Sequence, residues 1–437
     1  MQPAIKHSIR DHQLPQLSAA LDTNLMKYIF HKVLIGLQIE DCQIIQSRYK
    51  PERNCLISYR LKIRNPATNE AEEQILCARI FPPNESLSRF VKAQKQFLLA
   101  PKFGSALTHI SDLEMVVWAF PNDRKLTGLP DLTNIDRLRT EILPSAFGND
   151  YEIKSLRSEI VHYVAEHTCT VKVNLELSEV KTGKTQSQFL YGKTYYNDEG
   201  AATFQAMREL EKQIRIAQPL AYQPEIKTLW QFGLSGKLLN EYDANDEHLL
   251  AKAAAAVAAL HQANVTCSRT FTLPDLLLKL KTTANLYALS NSDGQQKLEA
   301  LLERLIEQSQ TLELRPTALL HGDLHLKNFF VVDENVALID LDNLAYGDPL
   351  QDVGSFIAGL WYRSLQPGAA NPRSQINSFL AAYKNHISFS IPQSDLNWYV
   401  AAMLIAERVS RCITRLKPGR SADELIKLAD QISGGQQ

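Results

Sequence analysis

The run His321-Gly322-Asp323-Leu324-His325-Leu326-Lys327-Asn328, followed by Ile339-Asp340-Leu341-Asp342-Asn343, holds the residues best suited to chemistry. Moving a phosphoryl group needs a carboxylate near the acceptor hydroxyl, oxygen ligands that hold magnesium on the phosphates, and a cation that positions the nucleotide. Positioning and charge stabilisation carry most of that reaction. Magnesium prefers oxygen ligands and keeps several waters, so one amide and one carboxylate suffice as its protein ligands. Asn328 and Asp340 supply that pair from the two ends of a short β-hairpin. Its strands read as Asn328-Phe329-Phe330-Val331-Val332 and Val336-Ala337-Leu338-Ile339, with Asp333-Glu334-Asn335 as the turn.

Asp323 stands five residues before Asn328, the His-x-Asp-x4-Asn spacing of kinase catalytic loops. Together with Ile339-Asp340 and Gly347-Asp348-Pro349-Leu350-Gln351-Asp352, the pattern resembles the aminoglycoside phosphotransferase and choline kinase family of the protein-kinase-like superfamily. The resemblance implies Asp323 as catalytic base or hydroxyl-orienting residue and Asn328 and Asp340 as magnesium ligands. It also implies His321 as a structural brace, with Asp352 supporting the catalytic loop from the following helix. Lys193 resembles the strand lysine that holds the α- and β-phosphates of ATP or GTP, and Trp230-Gln231-Phe232 resembles the hinge beside the adenine. His325 is open between facing the transferring phosphate and bracing the loop. Asp342 is open between a metal or substrate contact and a turn cap. Where many kinases carry a glycine-rich phosphate cover, this chain has Ala165-Glu166-His167-Thr168-Cys169.

The elements that must position these residues begin with an internal repeat. Tyr49 to Phe81 aligns without gaps on Tyr163 to Tyr195 at an offset of 114, with seven of 33 positions identical, where about two would arise by chance. Cys55, Ile57, Tyr59, Leu61 and Ile63 alternate with mostly polar residues, as do Cys169, Val171, Val173, Leu175 and Leu177. This is the period-two signal of half-buried strands. Each run leads through a turn into a second strand, so two antiparallel hairpins are expected. Trp118 and Lys125-Leu126 stand to the first copy roughly as Trp230 and Lys237-Leu238 stand to the second. The first copy places Arg79 where the second has Lys193, and it has no catalytic segment. Packing, formation of a homodimer, or covering of the substrate are the roles open to it.

Glu199 to Ile216 reads as a helix with Phe204, Met207, Leu210 and Ile214 on one face. Glu211 falls near that face and is the carboxylate expected to reach toward Lys193, while Glu209 points away. Leu249 to Gln262, Pro274 to Leu289 and Gln296 to Leu314 read as further helices, and His261 as a packed or capping residue. Arg408, Arg411 and Arg415 are spaced to lie along one helix face, open between binding an anionic substrate and forming a solvated basic surface.

The fold expected is therefore α+β, a protein-kinase-like bilobal arrangement preceded by a degenerate duplicated N-lobe-like unit. Residues 1–150 would form that non-catalytic unit, 151–242 a small antiparallel β N-lobe, and 243–437 a mainly helical C-lobe carrying the catalytic loop and substrate site. With 437 residues, more than one core is required. Apolar residues at 45%, charged residues at 22% and a net charge of −1 fit a globular chain and argue against nucleic acid as a partner. No apolar run is long enough for a membrane span, and Met-Gln-Pro-Ala-Ile-Lys-His does not begin a secretory signal. Six separated cysteines without zinc spacing fit small buried hydrophobes in the cytoplasm. The expected activity is transfer of the γ-phosphate of ATP or GTP, with magnesium, to a hydroxyl of a sugar, amino alcohol or aminoglycoside-like acceptor. The alternative is an inactive kinase-like nucleotide-binding or scaffolding module.

Overall fold

The computed structural model describes residues 11–243, 246–290, 294–366, 368–369, 371–416 and 422–435. The N-terminal heptapeptide read for a signal lies outside the described residues. The chain divides into two compact units. The first comprises residues 1–197, 223–228 and 411–420, and the second residues 198–222, 229–410 and 421–437. Both mix helices with mainly antiparallel sheets.

In the first unit, β1 (Gln38–Lys50), β2 (Asn54–Arg64), β3 (Ala71–Ile80), β4 (Leu107–Ile110) and β5 (Met115–Ala119) form one sheet in the order β1-β2-β3-β5-β4. Cys55, Ile57, Tyr59, Leu61 and Ile63 of β2 are all buried, as their alternation requires. Met26 and Phe30 of the helix Thr23–Val33 belong to the same core, with Phe30 meeting Tyr59 edge-on at 5.2 Å. Leu416, far along the chain, also joins it.

The strands β6 (Tyr151–Val164), β7 (Thr168–Glu179) and β8 (Thr185–Tyr195) form an antiparallel meander in the same unit. Cys169, Val171, Val173, Leu175 and Leu177 of β7 are buried. The pairs β1/β2 and β6/β7 carry matching register shifts, at Ile39/Asp41 and Ile44/Gln46 in one and Ile153/Ser155 and Ile160/His162 in the other. Each hairpin is latched by a preceding aspartate. Asp11 accepts from the Tyr49 hydroxyl and the Glu52 amide, both at 2.8 Å, and from the amides of Gln13 and Leu14. Asp123 accepts from the Tyr163 hydroxyl at 2.7 Å, the Glu166 amide at 2.8 Å, and the amides of Lys125 and Leu126. Glu52 and Glu166 both turn with positive φ, 59° and 56°.

The second unit is mainly helical. The strands β9 (Pro219–Gln223) and β10 (Thr228–Phe232) lie beside each other at its start, and β11 (Lys237–Leu238) pairs later in the chain. Two three-stranded sheets follow. One joins β11 to the hairpin described below. The other places β12 (Thr270–Phe271) parallel to a late strand, Ala345–Gly347, that also pairs with β13 (Ala318–Leu320). The expected hairpin is β14 (Phe329–Val332) with β15 (Asn335–Leu338), and β16 is the Ala345–Gly347 strand. Asp333 and Glu334 close the hairpin with φ of 46° and 60°, so the turn has two residues and ends one residue earlier than the sequence pattern placed it, with Asn335 already in β15.

The helices Glu247–Gln262 and Leu273–Ser290 closely follow the sequence pattern. The third stops at Gln308 and passes into a 3-10 turn at Ser309–Thr311. Phe329, Phe356, Phe379 and Tyr383 stack in sequence, with centroid separations of 5.6, 4.3 and 6.2 Å, and tie the hairpin to two helices. The expected helix Glu199 to Ile216 ends at Leu210. Its buried face is Thr203, Ala206, Met207 and Leu210, with Phe204 and Ile214 half-buried. Within the arginine series Arg408 does not belong to a solvated face, while Arg411 and Arg415 are half-buried. A π-helical turn over Leu404–Val409 shifts the register, and Arg408 is only 5% exposed, with Nη2 donating to the Ser355 carbonyl at 3.3 Å.

Candidate active site

The segment from His321 to Asp340 is closed on itself by hydrogen bonds. The Asn328 amide nitrogen donates from its backbone to the His325 carbonyl at 2.8 Å, and Ile339 N–H donates to the Asn328 carbonyl at 3.0 Å. The Asn328 side-chain NH2 donates to the Asp323 carbonyl at 2.8 Å. That bond fixes which end of the amide is oxygen, leaving Oδ1 as the acceptor that a hard cation requires. Asn328 is buried, whereas Asp340 is exposed at the far end of the hairpin, in a left-handed conformation with φ of 61° that aspartate tolerates. One amide oxygen and one exposed carboxylate fit a magnesium ion that draws its remaining ligands from phosphate and water.

His321 joins the two ends. Its Nε2 lies 2.9 Å from the Ile339 carbonyl, and since a carbonyl only accepts, the proton is assigned to Nε2. The brace therefore fixes the residue that precedes Asp340. Asp323 is half-buried, with the His325 Nε2 at 3.8 Å from its Oδ2.

Asp352, only 2% exposed in the first turn of the helix Leu350–Ser364, clamps the start of the loop. Its Oδ2 accepts from the His321 amide at 2.6 Å and its Oδ1 from the Gly322 amide at 3.0 Å. His261 Nε2 stands 3.3 Å from Oδ2, and its Nδ1 is 2.6 Å from the Tyr383 hydroxyl. Burial pushes the Asp352 carboxyl up. The His261 hydrogen bond, the His261 and His321 charges and the His321 N–H outweigh burial and hold it below its ordinary value. The helix start is itself anchored by Arg315, 1% exposed in its side chain. Arg315 bonds Asp395 Oδ2 through both terminal nitrogens at 2.9 Å and Asp348 Oδ1 through Nε at 3.2 Å.

Gly322 has φ of +78°, and a Cβ there would lie 2.3 Å from the Asn343 carbonyl oxygen. Only glycine lets the catalytic loop and the segment after Asp340 come this close. Gly322→Ala is expected to cost about 2 kcal/mol or more from the left-handed backbone and the overlap together. Chemical denaturation of the variant measures it.

Beside the loop lies a cavity of about 260 Å³, reached by Arg269, Lys279, Gly322, Asn343, Ser355 and Glu407 among others. Glu407 accepts from the Ser355 hydroxyl at 2.8 Å and lies 3.5 Å from Arg408 Nη2. Arg269 Nη1 donates to the Asp342 carbonyl at 2.6 Å, fixing the segment beyond Asp340. Sequence reasoning did not single out Arg269, Lys279, Ser355 or Glu407. Their separation along the chain leaves no local pattern.

The remaining expected residues are distributed as follows. Lys193 lies half-buried on β8 of the first unit, opposite Thr170, with Nζ 5.8 Å from the Tyr195 ring centre. Glu211, Trp230 and Phe232 belong to the second unit. Glu211 caps the end of its helix and pairs with Arg208 at 3.2 Å. Glu209 does not simply face solvent: it accepts from the Thr266 amide at 2.6 Å. Trp230 is fully buried and Phe232 half-buried on β10. The turn that stands where a phosphate cover was sought carries Glu166, whose carboxylate is bound by Arg124 at 2.6 and 2.7 Å and by Arg79 at 2.5 Å.

No curated protein sequence matches the chain. Solved structures similar to it include a choline/ethanolamine kinase family protein from Mesorhizobium loti, at 16% identity over 59% of this chain and 84% of that one, with a TM-score of 0.44. A choline kinase from Streptococcus pneumoniae is similar at 12% identity over 69% and 99% of the two chains, with a TM-score of 0.46. A macrolide 2'-phosphotransferase from Brachybacterium faecium is similar at 18% identity over 68% and 97%, with a TM-score of 0.44. The family model of the phosphotransferase enzyme family matches residues 192–386, which span the whole loop, hairpin and Asp352 helix described above.

Proposed function

We propose that this chain is a small-molecule kinase that transfers the γ-phosphate of ATP or GTP to a hydroxyl of a sugar, amino alcohol or aminoglycoside-like acceptor. The observation that carries the proposal is the closure of residues 321–340, which orients the Asn328 amide and ties the residue before Asp340 to His321. Asp323 accepts or orients the acceptor hydroxyl proton. Asn328 Oδ1 and Asp340 hold magnesium, which when bound supplies charge neutralisation on the β- and γ-phosphates. His321 and Asp352 act through the backbone, by holding the loop. Lys193 supplies the phosphate-positioning cation, and the strand bearing Trp230 and Phe232 supplies the nucleotide-base contact.

The acceptor enters the cavity beside Gly322, where Glu407 offers a half-buried carboxylate and Arg269 and Lys279 offer cations. A hydroxylated molecule that also carries an amine suits Glu407. The first half of the first unit is read as a degenerate copy of the kinase N-lobe. The paired register shifts and the two aspartate latches support that reading. The domains of the chain are read as residues 1–150 for that non-catalytic unit, 151–242 for the N-lobe and 243–437 for the C-lobe.

Nucleotide turnover with sugars, amino alcohols and aminoglycosides tests the proposal. Acceptor-dependent release of ADP or GDP is expected with magnesium and is lost on chelation. Asn328→Ala is expected to raise the magnesium requirement about tenfold or more. Turnover indifferent to chelator, or no turnover with any acceptor and no nucleotide binding by calorimetry, overturns it.

A further inference from the structure

The first unit contains a cavity of about 570 Å³ that the reaction does not use. It is lined by Arg53, Arg79, Arg89, Lys92 and Arg124, together with Glu52, Glu85, Phe81 and Trp118. Its size suits a ligand the size of a nucleotide or sugar phosphate. We propose that this cavity binds a small organic phosphate, as a site separate from the one built on Asp323.

Charge is the first argument. Five cationic side chains line the cavity, and the carboxylates that line it or pair with its arginines are Glu52, Glu85 and the Glu166 that bonds Arg79 and Arg124. Two positive charges are left over, and a dianionic phosphate would neutralise them. Burial, and then the neighbouring Arg48, Arg79 and Arg53 charges, hold the Lys50 ammonium below its ordinary value, as a surrounding positive potential requires.

The second argument is that this surface already takes an oxyanion. Glu166, 5% exposed in its side chain, is bonded in bidentate fashion by Arg124 and again by Arg79. That is the fork geometry guanidinium groups use for carboxylate and phosphate. The two arginines that Glu166 bonds, Arg79 and Arg124, both line the cavity. Arg89 and Arg79 both stand over the Phe81 ring, at 5.8 and 5.6 Å, which holds the aromatic wall against the cations.

The third argument is a donor without an acceptor. Trp118 is 1% exposed and lines the cavity, and its indole Nε1 has no hydrogen-bond partner among the described residues. A buried N–H left unpaired costs free energy that a ligand oxygen would recover. The same strand position in the second half of the chain holds Trp230, which makes the tryptophan part of the fold, but the cationic lining belongs to the first half.

Titration calorimetry of the full chain with phosphate, pyrophosphate and AMP, without magnesium, tests the site. The Asp340→Ala protein is run alongside, so that binding at the proposed kinase centre is separated from binding here. Saturable binding of at least one probe is expected to persist in Asp340→Ala. It should weaken about tenfold or more in Arg53→Ala with Lys92→Ala. Both residues are exposed, so the pair leaves the core intact. A ligand-induced change in tryptophan emission should be absent from Trp118→Phe. AMP binding more tightly than pyrophosphate would identify a nucleotide, and the reverse a phosphoester without a base. No binding of any probe, unchanged affinity in the Arg53 and Lys92 variant, or loss of binding in Asp340→Ala overturns the proposal.

Discussion

Replacing Asp323 by asparagine is expected to lower kcat by about a hundredfold to ten-thousandfold, the range that a positioned acid or base contributes. The change is nearly isosteric. The loop should hold its shape, because the bond that orients Asn328 comes to the Asp323 main-chain carbonyl rather than to its carboxylate. His321 and Gly322 stay clamped by Asp352, and the proposed metal ligands keep their placement. What disappears is the charge that accepts or orients the hydroxyl proton, beside His325 at 3.8 Å. Nucleotide affinity, followed by calorimetry, should therefore be nearly unchanged while turnover falls. A variant with wild-type kcat would show that the proton is handled elsewhere, and one that had lost nucleotide binding as well would show that Asp323 holds the loop rather than the hydroxyl.

Asp352→Asn is expected to be the most destabilising single change in the site, by about 3–5 kcal/mol, the cost of breaking a buried charged network on one side. Both carboxylate oxygens accept backbone N–H groups, Oδ2 from His321 and Oδ1 from Gly322. An asparagine must turn its NH2 toward one of those N–H groups whichever way it is flipped. It also withdraws the negative charge that faces His261. Denaturation of the variant gives the magnitude directly.

The pH dependence of that stability follows from the direction of the shift. The folded carboxyl is held below its ordinary value of 3.8, so its contribution is fully present above that value and is lost as pH falls through the folded one. Wild-type protein should lose stability on acidification below about pH 3.8 more steeply than Asp352→Asn, which has no proton to take up there. Equal acid slopes in the two proteins would remove Asp352 from the acid transition.

The segment proposed as catalytic was legible because its residue pattern is local. Asp323, Asn328 and Asp340 lie within eighteen positions, in a loop and a hairpin whose β-branched and aromatic runs mark themselves. The strands β2 and β7 were equally visible, since one face of each is buried along its whole length. The partner strands β1 and β6 were not singled out. β6 is an outer strand of its meander, and much of it is exposed or half-buried, so its alternation carries little contrast between inside and outside.

Sequence alone determined the alternating strand runs of β2 and β7, the hairpin after Asn328 and the residue types available to the proposed phosphoryl-transfer loop. Tertiary structure decided which distant groups hold that loop and which charges are buried. Asp352, His261 and Tyr383 meet across more than a hundred residues of chain, and no spacing rule encodes that meeting. Arg408 looked like one of a surface series until a π-helical turn carried it inward, and Glu407 and Ser355 reached the cavity through the same packing. Asp11 and Asp123 latch the two hairpins through side chains that lie far from them in sequence. Periodicity reports which face of an element is apolar, because that depends only on neighbouring residues. The pairing of buried polar groups depends on the final packing of separate elements, where each donor must find its acceptor or remain costly.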